Sequence, residues 1–119
     1  MSAKKNKTYK GIVKKYSEKI DQMLFSAKAL ATGINFVRDK MESGEFDDDP
    51  CTIKEFWLNH CYKFISDVED ELADLEKEII ADSQFTDKSK EAFYSEYFKT
   101  PREFIELAKR FDARVLNYQ

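Results

Sequence analysis

The side chains in this sequence that could do chemistry are few, and their spacing does not assemble them. The single histidine, His60, adjoins Cys61, one of two cysteines; these are the residue types of a thiolate nucleophile and its base. Neighbours on a helix point about 100° apart, so adjacency alone makes no dyad. A carboxylate-bridged di-iron bundle needs paired Glu-x-x-His sequences, yet there is one histidine, and Trp57 stands where its glutamate belongs. Asp47-Asp48-Asp49 lacks the alternating ligands, the glycine and the terminal glutamate of a calcium loop. The three glycines are isolated, so no phosphate-cradling loop exists either. No catalytic set, cofactor or metal is expected.

What remains is charge. Asp67, Asp70, Glu71, Asp74 and Glu78 recur at i, i+3, i+4, i+7 and i+11, which places them on one helix face. Such a row either presents nucleic-acid-like charge to a basic partner or is a solvated face. Lys4, Lys5, Lys7, Lys10 and Lys14 make a basic arm suited to phosphate backbones or to an acidic protein patch. The net charge of −3 hides this segregation. Residues 1–41 carry 10 basic and 3 acidic side chains, residues 42–82 carry 3 and 14, and residues 83–119 carry 7 and 6.

The elements that must position these groups are helices. The 119 residues form one domain, and 10 Phe, 6 Tyr and 1 Trp exclude a disordered acidic tail. Only 3 Gly and 2 Pro leave too little turn chemistry for an all-β fold. Tyr9, Val13, Tyr16, Ile20, Met23, Ala27, Leu30, Ile34, Val37 and Met41 follow each other at steps of 4 and 3. This predicts a long first helix from about Thr8, its N-cap, to Met41. Ala31-Thr32-Gly33-Ile34-Asn35 is its weakest stretch by helix propensity, but the seam keeps its phase there, which favours continuity.

A turn with Gly44 and an acidic cluster follows, then Asp49 as N-cap with Pro50 at the first helical position. The second long helix is predicted from about Pro50 to Ala81, with its seam at Leu58, Cys61, Ile65, Val68, Leu72, Leu75 and Ile79. Thr86 starts a short helix of about residues 87–99 carrying Phe93, Tyr94, Tyr97 and Phe98, a row expected to be core and not a base-stacking platform. Thr100-Pro101-Arg102-Glu103 reads as a capping box, so a fourth helix is predicted from about Pro101 to Asn117. Its buried side is Phe104, Ile105, Leu107, Ala108, Phe111, Val115 and Leu116. With no glycine between them, the last two helices should form one nearly continuous bent arm.

The expected fold is therefore all-α, an elongated antiparallel helical bundle of two long and two shorter C-terminal helices, with residues 1–7 as a flexible basic arm. If the long helices pair antiparallel about residue 47, Lys14, Lys15 and Lys19 lie beside Glu71, Asp74, Glu76 and Glu78, and the charge contrast largely cancels. The last helix should cover Trp57, Phe64, Leu24 and Ala31. Phe25, Phe36 and Phe56 fall outside these contacts and are candidate partner or self-association surfaces, including a homodimer.

Cys51 and Cys61 on one helix would sit about 15 Å apart, too far for a disulfide, so reduced thiols are expected. No window approaches 18 consecutive apolar residues and no apolar signal core follows the N-terminus, so no membrane contact is expected and the cytoplasm is the expected location. Lack of a catalytic set points to a non-enzymatic interaction protein: a subunit, adaptor or inhibitor presenting helical surfaces, with a protein partner. A viral or phage inhibitor of a host nucleic-acid enzyme is one compositional analogue. The alternative is a nucleic-acid-binding accessory subunit using the basic arm, aided by Lys109, Arg110 and Arg114.

Overall fold

A computed structural model describes residues 9–118, all of whose regular elements are helical. In chain order they are α1 (Tyr9–Lys14), α2 (Ser17–Ser43), α3 (Pro50–His60), α4 (Lys63–Ala81), α5 (Asp87–Phe93), a π-helical turn (Tyr94–Phe98) and α6 (Lys99–Leu116). Three arms result: α1–α2, then α3–α4 running back along it, then α5–α6 running back again to cover both. The molecule measures 69 × 19 × 17 Å, with a radius of gyration of 18.5 Å. A compact chain of this length would have about 13.5 Å. The rod-like bundle expected from the two long seams is therefore the observed architecture. Thr8 and the lysines at 4, 5 and 7 lie outside the described residues.

The turns form where the sequence signals them. Gly44 closes α2 in the left-handed region, φ 75°, which a side chain would strain, and its N–H donates to the Met41 carbonyl. Asp49 caps α3 by accepting from the Thr52 amide and, at 2.6 Å, from the Thr52 hydroxyl. Thr86 and Ser89 exchange side-chain and backbone hydrogen bonds of 3.1 and 2.8 Å to start α5.

α2 is unbroken through residues 31–35, where Gly33 has a packing reason. A Cβ on it would lie 2.8 Å from the Cys61 sulfur, so the glycine lets α2 and the α3–α4 arm approach closely. The first arm breaks instead at Lys15–Tyr16, outside the stretch of weak propensity.

The second arm also departs from the predicted single helix. Ile53, Trp57, Cys61 and Ile65 are all buried, yet three successive steps of four residues rotate an α-helix about 120° away from a fixed face. A wide turn absorbs the surplus: the Tyr62 amide donates to the Trp57 carbonyl, five residues back, at 2.8 Å. One consequence is that Leu58, expected in the seam, is exposed, and Ile53 and Trp57 take the inner positions. From Ile65 onward the seam runs as predicted.

The third arm is continuous, as expected, but the capping box at Thr100 does not form. Phe93 and Phe98 are both fully buried although five residues apart, and the π turn makes this possible, with the Lys99 amide donating to the Tyr94 carbonyl. Pro101, which has no N–H to donate, is buried just beyond that widened turn. Along α6, Ile105, Ala108, Phe111 and Val115 point inward; Leu107 and Leu116 are exposed, and Phe104 is half-buried. Trp57 is covered as predicted, its ring edge-on to Phe111 and its indole N–H donating to Asp112 at 2.7 Å. Leu24, expected beneath the same helix, is exposed.

At the other end, Tyr16, Phe85 and Phe93 pack ring against ring, and the turn between α4 and α5 fastens to the break in the first arm. Asp82 accepts from Lys15 at 2.8 Å, from the Tyr16 hydroxyl at 2.5 Å and from the Gln84 amide at 2.9 Å. These donors, led by Lys15, hold its carboxyl down to about 2. A carboxyl whose folded value lies below its ordinary one stabilises the fold above the ordinary value, and the contribution disappears as pH falls toward the folded value. Urea unfolding of the parent chain should therefore lose on the order of 1–2 kcal/mol between about pH 4 and pH 2 that Asp82→Asn does not lose.

Candidate interaction surface

The bundle itself consumes part of the acidic row. Lys19 of α2 reaches Glu78, in nearly the antiparallel register that the charges predict. On the opposite flank of α4, α6 supplies Lys109 to Glu69 at 2.7 Å and Arg102 to Glu76 at 3.5 Å. Lys14, expected beside the same acids, is exposed and forms no ion pair among the described residues. Glu71 is half-buried, with one carboxylate oxygen enclosed and lacking a hydrogen-bond partner among the described residues. Asp67, Asp70 and Asp74 are exposed and form no ion pair among the described residues. The predicted row is thus split between one carboxylate spent on register, one pressed toward α2 and three facing outward.

Of the basic arm, only Lys10 and Lys14 fall within the described residues; both are exposed, one turn apart on α1. The neighbouring Lys15 is held by Asp82. Of the α6 bases grouped with the arm, Lys109 is engaged by Glu69, and Arg114 lies over the Phe111 ring, 5.6 Å from its centre.

His60 and Cys61 part company, as helix geometry requires. His60 is exposed against the Phe56 ring at 4.9 Å. Cys61 is buried against Gly33, and burial pushes its thiol up, which disfavours the thiolate. Cys51 and Cys61 are both free. Among the described residues no group of His, Cys, Asp and Glu could hold a metal ion, and no helix is long and apolar enough to cross a membrane.

Phe25 is 67% exposed and Phe36 44% exposed. Phe56, grouped with them by sequence, is half-buried and packs on Phe36 with ring centres 5.0 Å apart. Two features of the molecule's closure lie outside any seam. Phe85 is buried within a polar turn, and the Tyr118 hydroxyl donates to Asp47 at 2.8 Å, fastening the end of α6 to the α2–α3 loop. Neither follows a helical period, so only the residue types could have drawn attention to them. The chain matches no protein-family model, no curated protein and no solved structure.

Proposed function

We propose that the protein is a non-enzymatic interaction module, a subunit, adaptor or inhibitor, that meets a basic partner through the outer carboxylates of α4. The observation that carries this reading is that Asp67, Asp70 and Asp74 have no ion-pair partner among the described residues, beside neighbours that the bundle neutralises. Like charges three and four residues apart on a helix destabilise it by a few tenths of a kcal/mol per pair. This row therefore opposes folding slightly and receives no ion pair from the described residues in return. A contact outside the chain supplies a reason for it.

The test is the combined reversal Asp67→Lys, Asp70→Lys, Asp74→Lys. The expected result is loss of the proteins that the parent chain retains at low salt and releases at high salt. Thermal stability should hold within about 1 kcal/mol, since three lysines repel one another at the same spacing but gain Glu71 and Glu78 as opposite charges. Retention of the same proteins by the reversed chain rejects the acidic row as the contact.

A further inference from the structure

We propose that the outer face of α2 is a docking site for a basic amphipathic helix of another protein. This rests on the interaction-module reading and assigns its partner a shape as well as a charge. α2 is 27 residues long, and the bundle uses only the face that carries Ile20, Met23, Ala27, Leu30, Ile34 and Val37. A second row, Gln22, Phe25, Ala29, Thr32 and Phe36, runs along the other side at steps of 3 and 4. That is the spacing at which one helix seats lengthwise on another. The row places a large exposed ring toward each end and small residues between them. Phe56 of α3 widens the ring platform at one end.

Charge selects the occupant. Every carboxylate of α2, namely Glu18, Asp21, Asp39 and Glu42, is exposed and forms no ion pair among the described residues. Of its bases, Lys19 is held by Glu78, Lys40 by Glu45, and Arg38 bonds Asn35. Lys28 and Arg38, whose partner Asn35 is uncharged, are left to offset four acids. Toward α4 the row borders a groove of about 150 Å³ lined by Gln22, Glu71, Asp74 and Leu75 and by Lys19, which Glu78 engages. A lysine or arginine of the partner reaching this edge would meet two carboxylates, Glu71 and Asp74.

A second copy of the chain fits poorly. In the antiparallel register that sets Phe25 against Phe36, residues 21 and 42 share one edge of the contact and residues 19 and 40 the other. Asp21 would then meet Glu42, and Lys19 would meet Lys40, like against like. In the parallel arrangement Asp39 would face itself. The chain's own Lys4, Lys5 and Lys7 carry suitable charge, but Met1-Ser2-Ala3-Lys4-Lys5-Asn6-Lys7 offers no apolar row to seat on the rings.

The experiment uses the full chain and two fluorescent helical peptides of three heptads, each with leucine along the seam. One carries lysine and arginine on the flanks and the other glutamate. The basic peptide should bind at least tenfold more tightly, and Phe25→Ser with Phe36→Ser should weaken it at least tenfold while the circular dichroism melt is retained. Phe25→Ser alone, at a position 67% exposed, provides a variant whose folding is not in question. Asp21→Lys with Glu42→Lys should narrow or reverse the preference between the peptides.

Equal binding of both peptides, or binding indifferent to Phe25→Ser, overturns the proposal. So does a doubling of mass in light scattering that Phe25→Ser abolishes, which assigns the face to a second copy. Tighter peptide binding after removal of residues 1–7 assigns it to the chain's own arm and overturns the proposal equally. If reversal of Asp67, Asp70 and Asp74 strips native partners that the ring variants keep, the interaction-module reading survives and the α2 site does not.

Discussion

Trp57→Ala should destabilise the protein by about 3–5 kcal/mol, the range for removing a large aromatic side chain from a packed core. Trp57 is fully buried where the three arms meet: on α3, edge-on to Phe111 of α6, and one residue position inward of the exposed Leu58. Its indole N–H also donates to Asp112 at 2.7 Å, so its loss removes a charge-assisted hydrogen bond along with the ring. Asp112→Ala alone should cost about 1–3 kcal/mol, because it leaves the N–H without its acceptor. In a double-mutant cycle the two substitutions should therefore fall short of additive, and urea denaturation of the four proteins measures the deficit. Full additivity would mean that the hydrogen bond contributes nothing. Leu58→Ala provides the contrast, with an expected loss below about 1 kcal/mol at an exposed position.

The difference between Trp57 and Leu58 marks how far the sequence pattern reaches. Steps of 3 and 4 repeat the α-helical period, and wherever the buried residues follow them, as from Ile20 to Val37 and from Ile65 to Ile79, the inner face is legible without coordinates. Steps of 4, 4 and 4 from Ile53 to Ile65, and of 5 from Phe93 to Phe98, cannot lie on one face of an ideal helix. The chain widens a turn to keep them there. The α period assigns Leu58 to the core in the first case. In the second, it makes Thr100-Pro101 the start of a new helix when the proline simply follows a π turn. The same limit applies to the candidate surface. Spacing puts Asp67, Asp70, Glu71, Asp74 and Glu78 on one face, but only the packing of α2 and α6 separates the carboxylates that fix register from those left over. Phe25 and Phe36 are visible in the sequence as rings outside the seam. Their membership of a second row with Ala29 is not, because two rings among three small or polar residues carry little hydrophobic signal.

Phe93→Ala at the opposite end should cost a similar 3–5 kcal/mol, by about the same cavity argument, but should act in a different way. Phe93 is fully buried and contacts the rings of Tyr16, Phe85, Tyr97 and Phe98. Tyr16 sits at the break between α1 and α2, and Phe85 in the turn between α4 and α5, so this one ring joins the ends of all three arms. α1 has six residues and fully buries Ile12; Tyr9 and Val13 pack half-buried against the core, and the Tyr9 hydroxyl donates to Glu96 at 2.7 Å. A helix this short has no stability of its own. Removing the Phe93 ring should therefore release α1 and the π turn well before the rest of the bundle unfolds, as a local opening. Amide exchange should show protection collapsing across residues 9–14 and 93–98, while α4 and α6 beside Trp57 keep a larger share of theirs. In Trp57→Ala the loss should spread over α2, α3 and α6 together, because that ring lies where the arms are longest and share one core. Uniform loss of protection in Phe93→Ala would show instead that the rod unfolds as a single unit along its 69 Å length.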